Sequence, residues 1–224
     1  MSKLCGRVWF LPEGKPPSLP EVAAPRPASR VTTDALLAWG VALHLSVPDD
    51  QIAVTRRCLT CGSRTHGKPL AVWARSGRVA AGASCSHSGG LTAIATTSHE
   101  VGLGVDVEDA RRPMDWRTVH EQAFTPTEWA SISGCGDIST RAYRAWVRKE
   151  AALKATGEGL LVEPRHVTVT GPADSAGWLP YAWTSRLITA AGPQAFVRDL
   201  AAPAGYVAAI AVTRLPRVCP SCGT

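Results

Sequence analysis

A fold that mixes helices and strands, with a repeated lobe as one reading, is what this sequence predicts, and three observations bear on it. After an irregular stretch and a first helix, strand-like segments are followed by a largely helical stretch and by strand-like segments again, so both kinds of element are present in quantity. G-G-L-T-A-I-A-T at 89–96 is echoed by G-Y-V-A-A-I-A-V at 205–212, about half the chain later. So long a period points to a repeated lobe, since solenoid repeats are far shorter; two unrelated buried strands rich in Ala and Ile are the other reading, and the sequence leaves both open. Finally, 224 residues, 45% of them hydrophobic, suffice for one substantial core or two small lobes.

The elements follow in order. Pro12, Pro16, Pro17, Pro20, Pro25 and Pro27 make the first stretch extended and irregular. Helical spacing begins near Thr33, as N-cap, and runs through Leu36, Leu37, Gly40, Val41 and His44 until V-P-D-D breaks it. Residues 51–77 read as turns, with Cys58, Cys61, Gly62, Gly67 and Pro69. Strand-like sequence returns from Val79 to Glu108, and a polar, mostly helical section spans about Arg117 to Gly157. A second strand-rich stretch, from V-T-V-T at 167–170 to A-A-I-A-V-T at 208–213, completes the pattern. The lobes divide as 1–100 and 101–224, and a cleft between them is the natural place for a ligand.

Composition excludes some classes. With 19% charged residues and mean hydropathy near zero the protein is expected to be soluble, neither disordered nor membrane-spanning. The opening residues hold no apolar segment of signal-peptide length, so a cytoplasmic location is expected. The net charge of +6 suits a polyanionic partner and does not separate nucleic acid, a phosphorylated cofactor and an acidic protein, although the scatter of the basic residues slightly disfavours nucleic acid.

Three stretches carry chemistry. In G-V-D-V-E at 104–108, a strand puts Val105 and Val107 on one face and Asp106 and Glu108 on the other. Two like charges side by side repel unless something cationic lies between them, and a divalent ion fits; an acidic strand surfacing into solvent is the alternative. By the same reasoning, Asp106→Ala is expected to cost little stability. In W-V-R-K-E-A-A-L-K-A-T-G at 146–157, helical spacing aligns Trp146, Glu150, Leu153 and Gly157, which leaves an acid between apolar neighbours, with Lys154 one turn on. A-S-C-S-H-S-G-G at 83–90 reads as a turn that exposes backbone N–H groups around Ser86 and His87, a setting that lets phosphate approach.

In order, H-G-K-P at 66–69, S-H-S at 86–88, G-V-D-V-E and W-V-R-K-E-A-A-L-K resemble the motifs of 4′-phosphopantetheinyl transferases of the surfactin-synthetase-activating type, over residues 30–170 or so. The resemblance implies a monomeric pseudo-dimer of two similar α+β lobes with the active site in the cleft between them. It implies transfer of the phosphopantetheine arm of coenzyme A to a serine of an apo acyl or peptidyl carrier protein of fatty-acid, polyketide or nonribosomal-peptide synthesis, releasing adenosine 3′,5′-bisphosphate. Asp106, Glu108 and Glu150 would be Mg²⁺ ligands, with Glu150 also the base, Lys154 the cation facing the phosphates and Lys149 a second one. Ser86 and His87 would touch phosphate, and Lys68 and Pro69 would border the adenine. Only Arg26 and Arg30 precede the first helix to meet the 3′-phosphate, with Arg56, Arg57 and Arg64 as substitutes from the next loop. The segment 112–129 corresponds to the family's carrier-docking region, where Trp116, Phe124 and Trp129 are docking residues or core.

Seven cysteines are expected as thiols or metal ligands rather than disulfides. Cys58-Leu59-Thr60-Cys61-Gly62 and Cys219-Pro220-Ser221-Cys222-Gly223 are two C-x-x-C-G knuckles, and four such thiolates would close one tetrahedral Zn²⁺ site. Two other functions remain open on residues alone: a metal-dependent phosphohydrolase or nuclease using the clustered acids, and a zinc-knuckle nucleic-acid-binding module.

Overall fold

The computed structural model describes residues 6–13, 32–58, 61–98, 101–134, 136–159, 162–183 and 194–213. In the first half, β1 (Gly6–Pro12) is followed by α1 (Thr33–Leu45), β2 (Ile52–Arg57), β3 (Lys68–Trp73), β4 (Val79–Ser88) and β5 (Leu91–Thr97). In the second, β6 (Leu103–Asp109) is followed by α2 (Trp116–Ala123), α3 (Pro126–Ser133), α4 (Ile138–Thr156), β7 (Val167–Val169), β8 (Leu179–Trp183), β9 (Ala195–Leu200) and β10 (Tyr206–Val212). The strands form two five-stranded sheets, β1-β5-β4-β3-β2 and β6-β10-β9-β8-β7, antiparallel throughout. Adding five to each strand number of the first order gives the second. The echoed stretches are β5 and β10, each standing second in its sheet.

Alternation decides which faces are buried. Leu91, Ala93 and Ala95 of β5 pack with Leu103, Val105 and Val107 of β6 and with Ala208, Ile210 and Val212 of β10, which joins the sheets through an apolar layer. The opposite face of the first sheet takes Leu37 and Val41 of α1 against Ile94, Ala81 and Ala83. On the second sheet, Val147, Ala151 and Leu153 of α4 cover Val197, Ala209 and Ala211. Thr32 caps α1, accepting from Ala35 N at 3.2 Å, one residue before the expected cap. Gly157 ends α4 with a φ of 84°, as expected.

Two stretches differ from expectation. Within residues 51–77, β2 and β3 form a hairpin, and turns are left to the loop that joins them and to residues 74–76. Ser84, Ser86 and Ser88 belong to β4, and the turn is reduced to Gly89–Gly90: hydroxyl residues that suggested a loop alternate with period two and use their hydroxyls across the seam between the sheets. Trp116 and Phe124 lie in a buried cluster with Tyr143, and Trp129 packs against it, so these aromatics are core. No helix among the described residues is long and apolar enough to cross a membrane.

Candidate active site

A glycine sets the spacing. Gly104, Asp106 and Glu108 form one face of β6, and α4 lies directly along it. A Cβ at position 104 would stand 1.9 Å from the Ala151 carbonyl oxygen and 2.6 Å from the Ala155 nitrogen, so only glycine lets helix and strand come this close. At that distance Trp146, Glu150 and Lys154, four residues apart on α4, face Asp106 and Glu108. Leu153, which the helical stripe was expected to include, turns into the core instead.

β6 is the edge of its sheet, and the serine row of β4 covers that edge. Val105 N donates to Ser84 Oγ at 3.0 Å and Asp109 N to Ser88 Oγ at 3.2 Å, which satisfies amides that no strand partners. The same row orients the acids: Ser86 Oγ donates to Asp106 Oδ1 at 2.7 Å and Ser88 Oγ to Glu108 Oε2 at 2.7 Å. Lys154 Nζ donates to Asp106 Oδ1 at 2.6 Å and to Ser86 Oγ at 3.0 Å. One carboxylate oxygen, one hydroxyl and one ammonium are thus locked together from three elements.

The electrostatics follow. Burial pushes the Glu150 carboxyl up to about 7, reinforced by the Asp106 charge and opposed by Lys154. Glu108 is raised by burial and by Asp106, against the lowering effect of its Ser88 hydrogen bond. Burial works against the Lys154 ammonium, but the charge and hydrogen bond of Asp106 outweigh it and hold the group protonated beyond its ordinary range. Among the described residues, Asp106 Oδ2 and Glu150 Oε1 are buried with no hydrogen-bond partner. Two desolvated carboxylate oxygens facing a third acid are costly unless a cation joins them, and hard oxygen donors suit Mg²⁺. The donor set fits such an ion.

These groups line a cleft of about 490 Å³, completed by Thr33 at the start of α1, Arg56 of β2, and Cys85 and His87 of β4. It therefore gathers the expected residues Asp106, Glu108, Glu150, Lys154, Ser86 and His87. Arg56, which the sequence offered only as a substitute, lines it too; Asp34 pairs with its guanidinium, and Gly67 O accepts from Nη1 at 3.3 Å. Trp146, to which the motif alone gives no role, lines the cleft as well, and its position four residues before Glu150 is the signal for this.

Three expected contacts fall elsewhere. Lys149 does not line the cleft: 1% exposed, its Nζ donates to Glu128 Oε2 of α3 at 2.6 Å and to Pro164 O at 3.0 Å, and it faces the Phe124 ring. It ties α4 to α3 rather than offering charge to a ligand. Lys68 and Pro69 begin β3 and do not line the cleft. The Lys68 ammonium donates to Ala155 O at the end of α4, and burial lowers its pKa to about 8. Arg26, Arg30, Cys219 and Cys222 lie outside the described residues. Cys58 and Cys61 instead meet His66, the ligand atoms of the three lying within 4.8 Å of one another.

No curated protein matches the chain. Residues 102–211, however, match the family model of the 4′-phosphopantetheinyl transferase superfamily. The matched segment begins at the acid-bearing strand, contains the whole of α4 and ends inside β10, so this half of the molecule, with the acids and the lysine of the cleft, is a domain of the 4′-phosphopantetheinyl transferase superfamily.

Proposed function

We propose that the protein transfers the 4′-phosphopantetheine arm of coenzyme A to a serine of an apo carrier protein, as a transferase of the surfactin-synthetase-activating type. The observation that carries this reading is the convergence of Asp106, Glu108, Glu150 and Lys154 in one cleft, two of the acids holding buried unpartnered oxygens, inside a domain of this superfamily. The matching strand orders support two similar lobes, divided near residue 100, with the cleft at their junction.

Asp106, Glu108 and Glu150 would hold Mg²⁺, which when bound neutralises pyrophosphate charge and so eases attack on phosphorus. Ser86 and Ser88 keep Asp106 and Glu108 in position by donating to them. The Lys154 ammonium stands ready to share its protons between Asp106 and a phosphate oxygen, stabilising charge that grows as the bond to the leaving nucleotide breaks. Glu150, or a water held by it, takes the proton of the attacking carrier serine. Arg56 at the cleft, opposite Pro69 in the β2–β3 ladder and next to the Arg57–Lys68 pair, supports placing the nucleotide end of coenzyme A on this side. Trp146 lines the same cleft.

The test is the intact mass of apo carrier proteins incubated with the protein, coenzyme A and Mg²⁺. Gain of one phosphopantetheine group only when both are present is the expected result. Unmodified carriers across several carrier types, with the protein shown to be folded, would overturn it.

A further inference from the structure

The β2–β3 loop carries a second cluster of metal-ligating side chains, separate from the acids of the cleft. Cys58 and Cys61 stand three residues apart in the chain and His66 follows on the same loop; Cys61 Sγ lies 3.4 Å from His66 Nε2. Two ligands of a tetrahedral zinc, at about 2.3 Å for sulfur and 2.0–2.1 Å for nitrogen, are about 3.5 Å apart, so the loop already holds this pair at coordination spacing. The backbone forms a knuckle around the first cysteine. Cys58 N donates to Ser63 O at 2.9 Å and Gly62 N to Cys58 O at 3.0 Å, with Gly62 at a φ of 70° that a side chain would strain. Soft thiolates with an imidazole select zinc over Mg²⁺, which keeps this cluster chemically distinct from the carboxylates.

We propose that Cys58, Cys61 and His66 bind one zinc ion that braces the β2–β3 loop. This differs from the four-thiolate site suggested by the two C-x-x-C-G knuckles, because the third ligand is an imidazole from the same loop. The fourth corner of the tetrahedron is left for a ligand from outside the loop. Binding releases the thiol protons and leaves neutral imidazole on the ion. The brace matters for the cleft through the loop's two ends. Arg56 precedes Cys58 and donates to Gly67 O, while Lys68 follows Gly67 and reaches across to α4. An ion fixed between these ends holds the hairpin that presents Arg56.

The experiment uses the full chain purified without chelator and needs no activity assay. Metal analysis is expected to give about one zinc per chain. Stripping with a chelator should lower the melting temperature, and zinc but not Mg²⁺ should restore it. The cobalt-substituted protein should show sulfur-to-cobalt charge-transfer absorption that Cys61→Ser weakens and Cys58→Ser/Cys61→Ser together abolish, and His66→Ala should lose zinc to a weak competing chelator at least tenfold more readily than the wild type. Absence of zinc from freshly purified reduced protein would overturn the assignment. So would full retention by His66→Ala combined with loss on removing residues 219–224, since that outcome assigns the ion to four thiolates.

Discussion

Lys154 on α4 and Asp106 on β6 meet at 2.6 Å across the cleft, with Ser86 of the other sheet bonded to both. The pair changes what Asp106 does for stability. Repulsion between neighbouring acids alone suggested that Asp106→Ala would cost little, but the substitution strands a largely buried ammonium. The expected cost is about 3 kcal/mol, because removing one partner of a buried pair leaves the other uncompensated. Differential scanning calorimetry should show a melting temperature lower by roughly 6 to 12 °C for a chain of this size. Transfer should be abolished.

Glu150 gives the metal-free protein a pH signature. Its folded pKa of about 7 exceeds the ordinary 4.5, so the folded state binds this proton more tightly than the unfolded state. Stability from this group is therefore complete below about 4.5, declines as pH rises through about 7, and levels off above. Melting temperatures measured in chelator between pH 5 and 8 should fall for the wild type and flatten for Glu150→Gln. Adding Mg²⁺ at pH 8 should raise the wild-type value and leave the variant nearly unchanged, while the variant's turnover should be very slow.

Lys149 and Lys154 should separate cleanly. Lys149→Ala leaves Glu128 without its partner and opens a hole between α4 and α3, at an expected cost of about 3–5 kcal/mol. Its remaining folded fraction should keep an unchanged KM for coenzyme A. Lys154→Ala should reduce kcat by at least a hundredfold. An altered KM in Lys149→Ala would return that lysine to the ligand.

Gly104→Ala tests the spacing of helix and strand. The methyl group would overlap the Ala151 carbonyl, so α4 must lift from β6 and carry Glu150 and Lys154 with it. Loss of stability by more than about 3 kcal/mol is expected, by the mechanism of overpacking. Urea unfolding of the variant against wild type measures it. Near-normal stability would show that the helix can slide.

The acids and their helix were legible because each signal is periodic. Alternation placed Asp106 and Glu108 on one face, and four-residue spacing linked Glu150 to Lys154. Lys149 was misread because its charge stood for its position: five residues from Lys154 it lies about 140° around the helix, towards α3 rather than the cleft. The serines of β4 were misread as a turn because Ser and Gly are turn formers locally, whereas here a strand edge in the other sheet uses the hydroxyls. That use depends on contacts about twenty residues away, and local preference carries no trace of it. Arg56 stayed in the background for the same reason: nothing near it in sequence indicates that the start of α1 and β4 close around it.

The serine row makes each half of the molecule chemically unfinished without the other. Cut between residues 98 and 101, the chain would yield one piece with hydroxyls facing water and another with an acid strand whose outer amides lack acceptors. Neither piece would hold Asp106 in its present orientation. Reassembly of the two fragments would then be readable as the return of the site itself, which makes the seam a natural place to install control over when the protein works.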